Sequence, residues 1–215
     1  MSESRSLVGA LAESFAEVIQ DVDADIGENR TYGAGIGPHD EDDQIDALVN
    51  AVRERDLFDG TIATAKADAT AVRYPGGQSA DLYLEADGRS EYCEAKLFRF
   101  QKANGNPYAQ EFSKVFNPYQ DRNPRSFIHD IEKLAAADIR HPKTFLGIYY
   151  RPVDGAGTEI TSREIADKFA ADVAHWTDYS ISIDTVARFS DLQHEVHHRG
   201  AVLTWTLDDQ PEQFF

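Results

Sequence analysis

The stretch SADLYLEADGRSEYCEAKLF, residues 79–98, leaves a chain little conformational freedom. Leu82 and Leu84 alternate with Asp81, Tyr83 and Glu85, while Cys93, Ala95 and Leu97 alternate with Tyr92, Glu94 and Lys96. That alternation predicts two strands, each with an apolar face and a face mixing aromatics with charges. Asp87-Gly88 between them suits a two-residue turn whose central positions both need positive φ. Such a turn fixes the register, with Ala86 opposite Arg89, Leu84 opposite Glu91, Leu82 opposite Cys93 and Asp81 opposite Glu94. A slip of one residue would mix the two faces, so the alternation supports this pairing. Tyr83 and Tyr92 then share a face with the two opposed acids, and Lys96 stands two residues beyond Glu94 on the same side.

Directly opposed carboxylates repel and destabilise a sheet unless something offsets them. A divalent cation does so, and hard ions such as Mg²⁺ bind through one or two carboxylates while keeping several waters. A lysine beside that ion would stabilise charge developing on a phosphorane or help to position an attacking water. The arrangement resembles the PD-(D/E)XK, or restriction-endonuclease-like, nuclease superfamily, where an acid on one strand and an E-x-K on the next bind Mg²⁺ and cleave phosphodiesters. The matching residues are Asp81, Glu94 and Lys96, with Ala95 between the last two and Ala80 where the pattern has proline. The resemblance covers roughly residues 40 to 150. It implies Asp81, Glu94 and the Ala95 carbonyl as ligands of Mg²⁺ or Mn²⁺, and Lys96 as the group assisting the nucleophile. Members often add an acid from a helix before the sheet, and Glu41, four residues before Ile45, falls near the middle of an apolar stripe. An ordinary helix-start acid, favoured by the dipole, is the plainer reading of Glu41. An E-x-K arises readily by chance; strand alternation, the turn and the opposed acids give this one its weight.

Around the hairpin, helical spacing of Leu7, Leu11, Phe15, Val18 and Ile19 predicts a first helix over about residues 3 to 21, followed by a flexible loop. The GAGIG in that loop does not fit a dinucleotide fingerprint, because Pro38 follows it and no strand precedes it. A helix carrying Ile45, Leu48, Val49 and Val52 comes next, then GTIATAKADATAVRY as a strand with a bend. NPYAQEFSKVF and PRSFIHDIEKLAAAD read as helices, KTFLGIYY as a buried strand, SREIADKFAADVAHW as a helix capped by Thr161 or Ser162, and AVLTWTL as a strand. Asp130 and Lys133, three apart, are expected to pair across a helix surface with no part in chemistry. This order predicts an α/β fold, one domain with a central mixed sheet flanked by helices, restriction-endonuclease-like by the resemblance. Its parts are an N-terminal helix and loop (1–39), the core carrying the site (40–150) and a C-terminal helix with strands (151–215).

The 215 residues carry 38 acids against 21 bases, a formal charge of -17 that would ordinarily argue against nucleic acid. Acids spread through every segment, with 14 of the 21 bases being Arg, suit a cytoplasm rich in potassium chloride, where screening over ~3 Å removes global repulsion. Against that background residues 96–125 hold six cations, Lys96, Arg99, Lys102, Lys114, Arg122 and Arg125, and only Glu111 and Asp121 as acids. This basic island beside a metal site suits phosphate contact, so Arg99, Lys102, Lys114, Arg122 and Arg125 are the expected nucleic-acid contacts, with DNA favoured over RNA. The interleaved Phe98, Phe100, Tyr108, Phe112, Phe116 and Tyr119 read mainly as core. A lone Cys93 on the apolar face suits a reducing cytoplasm and is a poor nucleophile candidate. No apolar run long enough for a membrane helix occurs, and a homodimer is left open.

Two further readings compete. One is a catalytically silent member of the same fold that binds nucleic acid or protein. The other is a zinc peptidase, because His194-Glu195-Val196-His197-His198 matches H-E-x-x-H and would need a helix through residues 190 to 198. Gly200 ends any such helix at once, and a solvated His-rich strand or turn is the favoured account.

Overall fold

The hairpin forms in the expected register. In the computed structural model Leu82 pairs with Cys93, Leu84 with Glu91 and Ala86 with Arg89, around a turn in which Asp87 and Gly88 have φ of 52° and 71°. Residues 6–29, 31, 33–74, 77–118, 126–154 and 158–208 are described. Along the chain the helices are α1 (Leu7–Asp25), α2 (Glu41–Glu54), α3 (Ala109–Phe116), α4 (Phe127–Ala136) and α5 (Ser162–Trp176). The strands are β1 (Glu28–Asn29), β2 (Gly33–Ala34), β3 (Thr61–Thr64), β4 (Leu82–Ala86), β5 (Arg89–Arg99), β6 (Lys143–Tyr150), β7 (Ile181–Phe189) and β8 (Gly200–Leu207). β1 and β2 pair with each other, and the remaining six form one sheet in the order β3-β4-β5-β6-β8-β7. Only β5 and β6 run parallel, so the sheet is mixed, as expected for this α/β chain.

Both faces of the sheet are covered. Cys93, Ala95 and Leu97 of β5 point into a core with α1 and α2, where Leu11, Phe15, Leu48 and Val52 are buried. The opposite face packs Phe98, Phe145, Leu203 and Trp205 against Phe116, Phe127 and Phe169 of α3, α4 and α5. The Phe98 ring lies over Trp205, with centroids 5.8 Å apart, and meets Phe127 edge-on. It fills the space beside Gly147 of β6, where an added Cβ would come within 2.8 Å of the ring.

Several boundaries differ from expectation for identifiable reasons. α1 starts at Leu7, because the Ser6 side chain accepts the Gly9 N–H as an N-cap, and it continues to Asp25. Glu91 strengthens that start from across the fold: its buried carboxylate accepts the Leu7 and Val8 N–H groups at 2.8 and 3.0 Å. The loop after α1 is tied down rather than free, since Ile36 is buried and donates its N–H to Asp23 at 2.8 Å. The strand expected over GTIATAKADATAVRY is cut to β3, because Thr64 Oγ1 accepts the Ala67 N–H and Asp68 accepts those of Thr70 and Ala71. Such local side-chain bonds offer the backbone turns in place of a ladder. Thr161 caps α5 in a reciprocal capping box with Glu164. Among the described residues no helix is long and apolar enough to cross a membrane.

Candidate active site

α2 is aimed before it supplies a functional group. Gln44, fully buried, donates to the His39 carbonyl at 2.8 Å and accepts the Tyr150 hydroxyl at 2.7 Å. That fixes the first turn of α2 over the C-terminal half of β5. Glu41, the first helical residue, reaches the strand: Oε2 accepts the Leu97 N–H at 2.7 Å, and Oε1 lies 3.3 Å from Lys96 Nζ.

β4 leaves β5 at this point. The ladder ends with Leu82 and Cys93, so Asp81 lies one residue beyond the strand and its Oδ2 accepts the Ala95 N–H at 2.8 Å. The expected pairing of Asp81 with Glu94 is not part of the ladder, yet the two carboxyls lie close enough for Asp81 to raise the Glu94 pKa. In an extended strand a residue's N–H and C=O point to the same side. The Ala95 carbonyl therefore projects toward the edge occupied by Asp81 and Glu41. Between them lies a cavity of about 20 Å³ lined by Glu41, Asp81, Ala95 and Lys66 among others, enough room for a single water or ion.

The charged face of the hairpin is solvated at Glu85 but not at Glu94, contrary to what amphipathic alternation alone implies. Glu94 is 2% exposed, because α4 lies over it. Asp130 and Lys133 of α4, expected to pair idly on a surface, belong to this cluster. Lys133 Nζ lies 2.9 Å from Glu94 Oε1, and Asp130 Oδ2 lies 3.4 Å from Lys96 Nζ. The pair between Asp130 and Lys133 does form, at 3.7 Å, but as part of a larger network. The one signal for it in the sequence is that Asp130 borders the apolar stripe of its helix.

Four carboxylates, Glu41, Asp81, Glu94 and Asp130, thus face two ammonium groups. Burial pushes the Glu41 and Asp81 carboxyls up, only partly opposed by Lys96 and by the Leu97 and Ala95 N–H groups. Burial and the adjacent Asp81 push Glu94 up to about 9, against the pull of Lys133. Burial alone would lower Lys96, but Glu41, Asp130 and Asp81 more than offset it and hold the ammonium charged. Lys96 is therefore a fixed positive charge and no proton acceptor at neutral pH. The buried Cys93 thiol is raised well above its ordinary value and stays protonated.

Among the described residues no three His, Cys, Asp or Glu side chains converge as a ready metal cluster. The donor set is still of the hard-oxygen kind that a small divalent cation takes, two carboxylates and a carbonyl. Asp81, Glu41 and the Ala95 carbonyl surround the small cavity, while Glu94 adjoins it through Asp81. Comparison with protein-family models, with curated proteins and with solved structures returns no match. The chemistry must therefore be argued from these side chains.

The basic island separates into unlike parts. Arg99 braces the loop before α2, with Nη1 donating to the Gly37 and His39 carbonyls at 2.7 and 3.0 Å. Lys102 extends over the Tyr108 ring, 5.6 Å from its centroid. Arg99, Lys102, Asn104 and Tyr108 line a cleft of about 680 Å³ that begins at Asp40, next to Glu41. Lys114 pairs with Glu111 at 2.7 Å on α3. Arg122, Arg125 and Tyr119 lie outside the described residues. Phe98 and Phe116 are core as expected, whereas Phe112 is exposed.

The His-rich segment overturns the zinc-peptidase reading. Residues 190–199 contain no helix and connect β7 to β8. His194 Nδ1 accepts the Val196 and His197 N–H groups, His197 Nε2 binds the Gln101 carbonyl at 2.9 Å, and His198 Nδ1 contacts the Glu195 carbonyl. These imidazoles shape a loop. Burial drives the pKa of His197 down to about 3, so its ring is neutral.

Proposed function

We propose that the chain is a divalent-metal-dependent nuclease of the restriction-endonuclease-like class, acting on phosphodiester bonds in nucleic acid, with DNA favoured over RNA. The observation that carries this reading is that Asp81 and Glu41 both reach β5 beside Lys96, at the Ala95 and Leu97 N–H groups, where β4 parts from β5. Asp81, Glu94 and the Ala95 carbonyl are the proposed holders of Mg²⁺ or Mn²⁺, with Glu41 as a further acid. A bound ion of this kind would polarise a phosphoryl oxygen and acidify a water. Lys96, kept charged by its acidic neighbours, offers an ammonium to negative charge growing on the phosphoryl oxygens. Asp130 and Glu41 hold that ammonium in place from two sides. Lys133 plays the same positioning role for Glu94. The cleft along Arg99, Lys102 and Tyr108 supplies cations and a ring face for the substrate strand.

A second reading, a non-catalytic nucleic-acid- or protein-binding member of the same fold, draws on a specific observation. Glu94 and Glu41 each already have a lysine partner, which leaves the network partly compensated without an ion. Plasmid and oligonucleotide cleavage with Mg²⁺ or Mn²⁺ in molar potassium chloride separates the two. Cleavage that falls at least ~100-fold in Glu94→Gln and Lys96→Ala, with fold checked by circular dichroism, supports the nuclease. Undiminished cleavage in those variants sinks it, and metal-independent binding without cleavage favours the second reading.

A further inference from the structure

One cavity stands apart from the acidic surface around it. It lies at the end of the sheet where β7 finishes and β8 begins, and has a volume of about 630 Å³. Its wall includes Arg151, Arg188 and Arg199, three of the chain's 14 arginines, and among the described residues no carboxylate. Acids outnumber bases 38 to 21 in the chain, so an acid-free wall with three guanidinium groups is far from its average surface. Hydroxyls of Thr161, Ser162 and Ser190 complete the polar lining.

Among the described residues none of the three guanidinium groups forms an ion pair with a carboxylate. Arg151 is aimed by its own chain, with Nε and Nη2 donating to the Thr158 carbonyl at 3.1 and 2.6 Å. Arg199 Nε is buried without a hydrogen-bond partner among the described residues, a donor that is costly to leave unmade. Arg188 stands exposed at the rim. Glu164 is close enough to sense Arg151, but its carboxylate is already engaged by Thr161 in the α5 capping box. Because that box also satisfies the start of α5, the attraction comes from the guanidinium groups and not from the helix end.

We infer that this cavity is a binding site for closely spaced phosphate anions, carried either by a free compound of pyrophosphate type or by a nucleic-acid backbone. Guanidinium groups present planar forks that match phosphate oxygens two at a time, which an ammonium does not. The volume falls within the ~300–1,000 Å³ of small-ligand pockets, so a diphosphate or nucleotide is accommodated. The site is separate from the carboxylate cluster: β6, β8 and β7 lie one to three strands beyond β5, roughly 5–14 Å across the sheet. It therefore stands whether or not the chain cleaves nucleic acid.

The test is calorimetric titration of the whole chain with inorganic pyrophosphate, in EDTA, at the lowest potassium chloride that keeps it folded. Competition by a 12-nucleotide single strand follows. Saturable binding that weakens at least tenfold in Arg188→Gln/Arg199→Gln, and stays unchanged in Arg55→Gln, is the expected result. Arg55 carries the same charge in a surface pair with Asp21 and serves as the control. A strand that displaces pyrophosphate identifies backbone phosphate as a ligand source, and one that does not leaves the free compound; both uphold the site. Absence of binding by the wild type overturns the inference, as does equal binding by wild type and a double variant of unchanged melting temperature.

Discussion

Replacing Lys96 by Met keeps the stem of the side chain and removes one of two ammonium groups from the buried cluster. Lys96 is only 14% exposed and lies 3.3 and 3.4 Å from Glu41 and Asp130, which are themselves largely buried. Breaking a buried pair by deleting one partner costs ~3–5 kcal/mol, since the other charge remains without compensation. In a chain of this size that lowers the melting temperature by ~6–20 °C. The loss has a pH signature. The wild-type ammonium is held above its ordinary pKa and stays charged from pH 5.5 to 8, so its contribution does not titrate in that window. In the variant the Glu41 carboxyl, already raised by burial, rises further. The folded variant then takes up protons more readily than the unfolded chain and recovers stability as pH falls. Urea unfolding of both proteins at pH 8 and pH 5.5, at fixed potassium chloride, reads the difference. A loss below ~1 kcal/mol, or one equal at both pH values, would refute the buried network and make Lys96 a surface charge.

Three other perturbations have definite outcomes. Glu91→Ala removes two charge-assisted bonds to the start of α1 and should cost ~3–5 kcal/mol in urea unfolding, with Glu91→Gln costing clearly less because it keeps an acceptor. His197 is held down to about 3, so the folded state resists protonation; stability should fall by up to ~1.4 kcal/mol per pH unit below about 6.5 toward 3, and the difference between wild type and His197→Leu should track that slope. Gly147→Ala drives a methyl group into the Phe98 and Trp205 rings and should destabilise by ~1–3 kcal/mol, visible as a lower melting temperature.

The hairpin was legible because a single dipeptide and a period of two act on the same residues, and both demand one register. Glu41 could be found from its place on the apolar stripe, since a carboxylate on an inward face must meet a donor, here the Leu97 N–H. What could not be read was which charged face would be covered. Asp130 and Lys133 satisfy a local pairing rule on α4 and so gave no hint of Glu94 and Lys96, more than thirty residues earlier in the chain. β7 escaped notice for a different reason. A bulge between Ile183 and Thr185 shifts its pairing with β8, so ISIDTVARF loses the strict alternation that marks a strand. HEVHH shows the converse, a motif match without the helix that gives the motif its meaning.

The bond from Glu91 to the first turn of α1 bears on how the chain is born. α1 is made before the other elements described, yet the Glu91 carboxylate that binds its first turn comes about 84 residues later, and the helix lies against β7 and β8, which follow later still. Until residue 207 has emerged, the apolar stripe of α1 has no finished surface to cover it. Closure of this fold thus waits for β7 and β8, and a nascent chain stalled before β8 would hold α1 as an unsheltered, chaperone-dependent segment.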